Sequence, residues 1–548
     1  MWAPLRRLAD PSVTPLWALS LFWTLPLWAM QEWTLECSLW EGVWQIWLDR
    51  GIRLVLDFLA CAVAVIVLPR FALVGLIVAT GIASIGLTVY YDYFSHPLSM
   101  LTILNTASEG VDVTAAGVSL LHGGHAAMAG LVIIQALLAN RIKRDRKPIP
   151  RGWILVFALV LSYGATMTIA NVARKKMWKI ATWESVAGIG YIYGYTPTWM
   201  AELLFVREEQ VLERALRRGQ QVSDRLSAKE PALLLGDRIV MVQVESLDWS
   251  LLGFQVHEKP VLPNINRLAE TSFLLPIQAP KITGSCDSDF TALMARLPSS
   301  EVPTYRIQEY PYDDALPRRL HQFAVESWAI HGVSGSFFNR RGPYRRMGFD
   351  RIWFREEFSA RDDIDASGWT VSDGDLLSFV AKSVDPARRQ FLFAITASSH
   401  IPFRFVDEGD KTFFPTSEDP TELYFDSMNY VDRAVGSLAS SLPPGTTLVL
   451  YGDHSSKIEN PSLGYRGATV DDVGLVPFLV YDPERNLREA QKTREDPVVQ
   501  GGHLTLLDAM TFLHQSIEYT FGKHPKESMS SAWDGDAGPV GMDGGMVP

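Results

Sequence analysis

Five apolar stretches occupy most of the first third of this chain, at about Val13–Met30, Leu54–Leu68, Phe71–Tyr91, Gly117–Ala139 and Trp153–Asn171. A bilayer core takes roughly 20 apolar residues as a helix, because helices and closed barrels alone satisfy their backbone polar groups inside lipid. The five are therefore expected to be spanning helices. Leu54–Leu68 is short and carries Asp57. No small-residue cleavage pattern follows the first stretch, so it reads as an anchor and not as a removable signal peptide.

Lysine and arginine set the expected orientation. Arg6 and Arg7 precede the first stretch, Arg70 follows the second, and six basic residues lie between Arg141 and Arg151 after the fourth. The alternate connections are poor in both: Gln31–Ile52 has Arg50 alone, and Asp92–Ala115 has none. Five spans place every basic segment on the cytoplasmic side, and everything after Asn171 outside. Arg174, Lys175, Lys176 and Lys179 then suit lipid headgroups at the outer surface. After the Gly/Tyr/Pro-rich Gly188–Pro197, a charged stretch at about Trp199–Ala228 is expected as a helix, either a stalk or one lying on the membrane.

The net charge of −11 and the lack of a long basic block exclude a nucleic-acid surface. Cys37, Cys61 and Cys286 are too scattered for a disulfide framework or a zinc-finger spacing. From Arg238 to about Gly522, β-branched runs alternate with helical periodicity. Strands are expected at Ile239–Val244, Glu326–His331, Phe391–Thr396, Thr447–Tyr451 and Leu475–Tyr481. Amphipathic helices are expected at Asp289–Leu297, Asp373–Val384 and Tyr424–Leu442. That alternation is the mark of an α/β domain around a mostly parallel sheet, which binds ligands at the carboxyl ends of its strands. The expected organisation is a transmembrane domain (1–172), a juxtamembrane linker and helix (173–230), an extracytoplasmic catalytic domain (231–525) and a disordered tail (526–548).

Chemistry-bearing residues fall at those strand ends. Glu245 closes one apolar run, and Asp453 and His454 close another, offering carboxylate and imidazole ligands suited to Zn²⁺ or Mn²⁺. A turn cap and a hydrogen-bonded loop histidine are the bland alternatives. Between the runs, Lys281–Phe290 (KITGSCDSDF) carries a Gly-bearing turn into a helical pattern. Ser285 there is an ordinary N-cap or a nucleophile whose alkoxide the helix N-terminus and a metal would favour. Thr283 and Cys286 compete for that role. Cys286 lacks the Pro or Ala two residues on, and the Arg four on, that modification to a sulfatase nucleophile requires.

These motifs, in this order, resemble the lipoteichoic acid synthase type of phosphoglycerol transferase, a membrane-anchored branch of the alkaline phosphatase/sulfatase superfamily. The resemblance rests on Glu245-Ser246-Leu247, Ser285–Phe290, His331-Gly332, Phe337–Arg340, Gly348–Asp350, Thr396 with His400–Phe403, and Gly452–His454. It implies a five-helix transmembrane bundle followed by an α/β sulfatase/alkaline-phosphatase-like domain, in a bacterial cytoplasmic (inner) membrane and facing the periplasm or cell exterior. It also implies one divalent metal, Mn²⁺ ahead of Mg²⁺ or Zn²⁺, held by Glu245, Ser285, Asp453 and His454. Ser285 would attack phosphatidylglycerol, release diacylglycerol and pass phosphoglycerol to a glycan or polyol-phosphate acceptor such as a periplasmic glucan. Arg340, Phe338, Asn339 and His400 would hold the headgroup, His400 also moving a proton.

Two departures bear on specificity: Ser285 replaces the family's threonine, and Phe338 replaces its tryptophan. His503 is either a group behind the site or a helix-start residue. His122 and His125, in the fourth stretch, are candidates for lipid entry as polar residues at membrane depth. A phosphoethanolamine transferase of the same superfamily is a rival reading, as are a phosphodiester hydrolase and an inactive membrane scaffold. Scarcity of cysteine weighs against the first of these.

Overall fold

The structure, a computed structural model, describes residues 14–35, 43–94, 97–106, 121–141, 150–173, 187–456, 458–467, 474–491, 498–499 and 502–523. Arg6, Arg7, Cys37, the basic connection 142–149, Arg174, Lys175, Lys176, Lys179 and the tail 526–548 lie outside the described residues.

The apolar stretches form long helices: α1 (Thr14–Thr34), α2 (Val43–Val67), α3 (Arg70–Phe94), then, beyond the short α4 (Met100–Thr106), α5 (Gly123–Arg141) and α6 (Pro150–Ala173). Among the described residues, Arg70–Asp92, Gly123–Arg141 and Trp153–Val172 are long and apolar enough to cross a membrane. Phe71, Ile82, Ile133, Leu137, Ile154, Phe157 and Ile169 project outward from these three. Such a continuous apolar surface needs a non-aqueous partner.

The second stretch differs from expectation, for α2 starts at Val43 and takes in Asp49, Arg50, Arg53 and Asp57. Asp57 and Arg53 find partners within the bundle, which lets the helix run through them. Gln31 Nε2 donates to Asp57 Oδ2 at 2.9 Å, and the buried Arg53 pairs with Glu32.

The charged stretch after the bundle is also not one helix. Short α7 (Ala187–Tyr193) leads to α8 (Tyr195–Phe205) and α9 (Glu208–Gly219), which break at Val206. Val211 and Ala215 of α9 are buried in the core of the following domain, so α9 is part of that domain's packing and not a free stalk. The segment before and through α4 docks on α8 and on that domain. Trp199 Nε1 donates to the Leu98 carbonyl at 3.0 Å, and the Met100 N–H to Glu202 Oε2 at 2.7 Å. Thr102 Oγ1 donates to the Glu301 carbonyl at 2.7 Å.

The α/β domain is built on seven strands: β1 (Arg238–Val244), β2 (Phe273–Gln278), β3 (Glu326–His331), β4 (Arg351–Trp353), β5 (Gln390–Ile395), β6 (Thr446–Gly452) and β7 (Leu475–Tyr481). Their order is β2-β7-β6-β1-β5-β3-β4. Strand β7 alone runs against its neighbours, so the sheet is mostly parallel. Every residue of β1 is buried. Ile239 and Met241 join one apolar core, and Val240, Val242 and Val244 the other, as two covered faces require. The five expected strands are present. Strand β2 and the three-residue edge β4 escaped the sequence reading, being short or interrupted by Pro276. Helices α10 (Cys286–Met294), α11 (Asp373–Ser383), α12 (Pro420–Ser441) and α13 (Leu506–Lys523) cover the faces. Strands β1 and β6 are neighbours in parallel register, with Val244 opposite Gly452. Glu245 and Asp453 therefore emerge side by side.

Candidate active site

At those paired strand ends the Ser285 hydroxyl donates to Glu245 Oε2 at 3.0 Å and lies 3.1 Å from His454 Nε2. His454 Nε2 is 3.3 Å from Glu245 Oε1 and 3.6 Å from Asp453 Oδ2. All four residues are buried. Backbone groups hold them: the Ser246 N–H and the His454 N–H both reach Asp453 Oδ1 at 2.8 Å, and the Glu245 N–H donates to Thr396 Oγ1 at 3.0 Å. Asp453 Oδ2 is buried without a hydrogen-bond partner. His454 Nδ1 lies 3.1 Å from the Ser455 carbonyl, a contact that puts its proton on Nδ1 and leaves Nε2 free to ligate.

Two buried carboxylates this close cannot both stay charged without a cation. Burial works against the charge on Glu245, yet His400 and His454 hold its carboxyl well below the usual range. Burial, and then the charge of Glu245, push Asp453 well above it. Glu245, Asp453 and His454 bring one ligand atom each within 4.8 Å of one another. The donor set and the orphaned Asp453 oxygen fit a divalent cation.

The two competing nucleophiles are placed differently. Thr283 is committed to Asp287, its hydroxyl donating to Oδ1 at 2.6 Å and its N–H to Oδ2 at 2.7 Å. Cys286 is buried, its Sγ 3.9 Å from Thr283 Oγ1, and burial followed by Asp287 pushes the thiol well above its ordinary value. Ser285 is the one of the three that meets Glu245 and His454.

Arg340 is also buried, with Nε and Nη2 on the two oxygens of Asp289 at 3.0 and 3.1 Å. Its guanidinium lies 5.2 Å from the centroid of the Phe338 ring. Phe338 in turn packs on Gly284, beside the nucleophile. Asn339 is exposed and donates through Nδ2 to the Tyr305 carbonyl at 2.8 Å. His400 lies within electrostatic reach of Glu245 and packs against Trp369 at 4.9 Å between ring centroids. His331 is held nearly neutral, its pKa lowered to about 3 by burial and then by Arg340. His503 sits in the two-residue strand Gly502–His503, its carbonyl accepting from Arg225 Nη1 at 3.1 Å. No contact of its side chain with the Ser285 cluster is recorded among the described residues.

Residues 237–510, half of the chain, match the Sulfatase family. The chain belongs to that family. Its membership is one of fold, since Cys286 lacks the sequence context of a modified sulfatase nucleophile. The chain is 24% identical over 238 residues to lipoteichoic acid synthase 2 of Bacillus subtilis, covering 41% of this chain and 36% of that protein. Lipoteichoic acid synthase 1 of the same organism is 24% identical, with 41% and 37% covered. The chain thus spans little more than a third of the length of these relatives. Among solved structures it is similar to the integral membrane protein lipooligosaccharide phosphoethanolamine transferase A from Neisseria meningitidis. That likeness has a TM-score of 0.50 at 15% identity, over 92% of this chain and 98% of that one. The fold correspondence therefore reaches through the N-terminal helices.

Several supporting residues of the sulfatase-family site were missed in the sequence. Asp289 anchors Arg340 and receives the Tyr344 hydroxyl at 2.5 Å. Asp248 accepts from Tyr424 at 2.9 Å, Tyr465 at 2.7 Å and the Ser456 N–H at 2.9 Å, tying the Glu245 turn to the loop after His454. Asp373 caps the Ala397 and Ser398 N–H groups at 2.9 and 2.8 Å, shaping the turn before His400. Asp248 and Asp289 lie three and four residues beyond Glu245 and Ser285, a proximity that offered the only signal.

Proposed function

We propose that this protein is a membrane-anchored phosphotransferase that moves phosphoglycerol from phosphatidylglycerol to an extracytoplasmic glycan or glycerol-phosphate acceptor. The observation that carries this reading is the Ser285 hydroxyl standing against Glu245 and His454, with the orphaned Asp453 oxygen beside them.

Glu245, Ser285, Asp453 and His454 would hold one divalent metal, Mn²⁺ foremost. When bound, it would neutralise the paired carboxylates, favour the serine alkoxide and draw charge from the phosphate oxygens. The residues of the chain do the rest. Ser285 Oγ gives up its proton to Glu245 and forms a bond to phosphorus while the bond to the diacylglycerol oxygen breaks. The proton that Glu245 received passes through His400 to that oxygen, and diacylglycerol leaves. An acceptor hydroxyl then attacks the phosphoserine, its proton returns to Ser285, and the phosphoglyceryl group departs. Arg340, fixed by Asp289, and the Phe338 ring bound the headgroup side, with Asn339 at the rim.

The five long N-terminal helices are taken as five spans, with a cytoplasmic N-terminus and the catalytic domain outside the bacterial inner membrane. Docking of the 97–106 segment onto that domain supports this. That connection and the domain then share a side, as the distribution of basic residues requires.

The test uses purified protein in liposomes of labelled phosphatidylglycerol or phosphatidylethanolamine with Mn²⁺, Mg²⁺ or Zn²⁺, reading diacylglycerol. Release from phosphatidylglycerol, lost in Ser285→Ala, is expected. Release from phosphatidylethanolamine alone would replace the donor. Normal turnover in Ser285→Ala would overturn the nucleophile.

A further inference from the structure

On the membrane side of the molecule, two helix ends bring together a second group of metal-ligating side chains that the reaction above does not use. Asp92 lies near the end of α3, and His122 and His125 at the start of α5. Asp92 Oδ2 is 3.4 Å from His122 Nε2 and 3.7 Å from His125 Nε2. The three residues can place one ligand atom each within 4.8 Å of one another. The group is close to the catalytic domain, because Tyr90, two residues before Asp92, is within electrostatic reach of Asp287 and Cys286.

We propose that Asp92, His122 and His125 bind a divalent transition-metal ion of the Zn²⁺ class, at a site separate from the Ser285 cluster. The spacing is the first support. Ligand bonds of about 2.0–2.2 Å in tetrahedral geometry set ligand atoms about 3.3–3.6 Å apart. Hydrogen bonds between nitrogen and oxygen are shorter, about 2.7–3.2 Å. The 3.4 and 3.7 Å separations here are close to that range, and the Ser285 cluster shows similar ones, with His454 Nε2 at 3.3 and 3.6 Å from its two carboxylates.

Burial is the second support. His125 is 2% exposed, and its Nε2 has no hydrogen-bond partner among the described residues although it is aimed at this carboxylate. The surroundings also suit a metal site. Trp33 Nε1 donates to Asp92 Oδ1 at 2.9 Å, which turns Oδ2 toward the histidines, as outer-shell donors do for metal ligands. The Trp33 ring lies 5.2 and 5.3 Å from the His122 and His125 rings and shields them. His122 is half exposed, leaving a further coordination position open to water or an anionic oxygen.

A metal-free arrangement competes with this one. The Gly124 N–H reaches His122 Nδ1 at 3.1 Å, and the His122 N–H reaches His125 Nδ1 at 3.2 Å. With those contacts each neutral ring keeps its proton on Nε2. Ligation through Nε2 moves that proton to Nδ1, so two caps of α5 are exchanged for two metal bonds and the unpaired His125 nitrogen gains a partner. Asp92 supplies the charge that makes the exchange favourable for a cation.

The experiment strips full-length protein in detergent with a chelator and reloads it with Zn²⁺, or with Co²⁺ as an optical probe. After desalting, metal per chain is measured in an Asp453→Asn background, which weakens the Ser285 cluster; Glu245→Gln serves as a second background. About one ion per chain is expected to remain, with the visible absorption of tetrahedral Co²⁺. Asp92→Asn keeps the acceptor for Trp33 but removes the ligand charge, and should weaken that ion's binding by at least about tenfold. The Zn²⁺-dependent rise in melting temperature should vanish in the same variant while the metal-free melting temperature holds. No ion in either background, or an ion indifferent to Asp92→Asn and to His122→Ala with His125→Ala, overturns the proposal. Because the Ser285 cluster is assayed separately by diacylglycerol release, failure of one site does not count against the other.

Discussion

The ring of Phe338 lies so close over Gly284 that a Cβ at position 284 would fall 2.4 Å from its Cζ atom. Gly284 also has φ +143°, a conformation that side chains other than glycine rarely adopt. One aromatic ring and one glycine therefore set the turn that delivers Ser285 to Glu245. Gly284→Ala is expected to displace either the ring or the hydroxyl and to lower diacylglycerol release by about 10²-fold, the scale of a 1 Å misplacement. Shortening the ring, as Phe338→Leu in the Gly284→Ala background, should recover part of the loss. The backbone strain persists, so recovery should be incomplete. Equal rates for Gly284→Ala and the parent would remove this contact from the site.

The pair of Arg340 and Asp289 carries a different consequence. Both are buried, and the guanidinium is held in two-point contact. Removing one partner leaves the other charge in a low-dielectric interior, at a cost of about 3–5 kcal/mol. Asp289→Ala should therefore lower the melting temperature sharply even in metal-free, substrate-free protein. Arg340→Lys should fail to restore full stability, because an ammonium cannot reproduce the two-point contact. A melting temperature unchanged by Asp289→Ala would show that the pair is not buried in solution.

Glu245, Asp453 and His454 were legible because they sit where a strand stops, and strand ends in a parallel sheet collect ligands; Ser285 was legible at a Gly-bearing turn that opens a helix. The hydrophobic runs before Glu245 and Asp453 marked those ends. Adjacency of β1 and β6 was not legible, since it depends on a crossover rather than on local pattern. Arg340 was found as a motif, but its buried partner Asp289 looked like an ordinary helix-start acid until Tyr344 and Arg340 converged on it. In the N-terminal region the apolar runs located the helices. The true start of α2 was hidden because Asp49, Arg53 and Asp57 look forbidding until Glu32 and Gln31 appear opposite them. The break at Val206 had no proline or glycine to announce it.

His514 supplies a test of pH dependence. It is buried, its Nε2 lies 2.8 Å from the Ala292 carbonyl, and Arg319 faces its Nδ1. Burial and then the Arg319 charge lower its pKa to about 3. With a folded pKa below the ordinary value of about 6.5, the neutral ring contributes fully above pH 6.5 and loses that contribution as pH falls toward 3. Asp373, raised to about 6 by burial, works in the opposite sense, so the comparison must be between variants. His514→Gln keeps a donor for Ala292 without the titration. Between pH 7.5 and 5, the parent should lose about 2 kcal/mol relative to this variant. A constant difference between the two melting curves would mean that His514 is not held neutral.

Glu202, in α8, tests the docking of the 97–106 segment. It is fully buried and accepts the Met100 N–H at 2.7 Å. Burial, the leading cause, raises its pKa to about 8, only partly offset by that hydrogen bond. A raised folded pKa contributes stability below the ordinary value near 4.5 and loses it as pH rises through 8, so the acid is mostly protonated at pH 7. Glu202→Gln, which keeps an acceptor oxygen and does not titrate, should therefore melt close to the parent only near pH 4.5. As pH rises from about 4.5 to 8 it should become the more stable of the two, by about 1.4 kcal/mol for each unit of pH, and the difference should level off above pH 8. Glu202→Ala leaves the Met100 N–H unpaired and should melt below Glu202→Gln, at a cost of about 1–3 kcal/mol whatever the pH. A difference between Glu202→Gln and the parent that stayed constant from pH 4.5 to 8 would mean that the carboxylate is charged in the native state and holds the Met100 N–H as an anion.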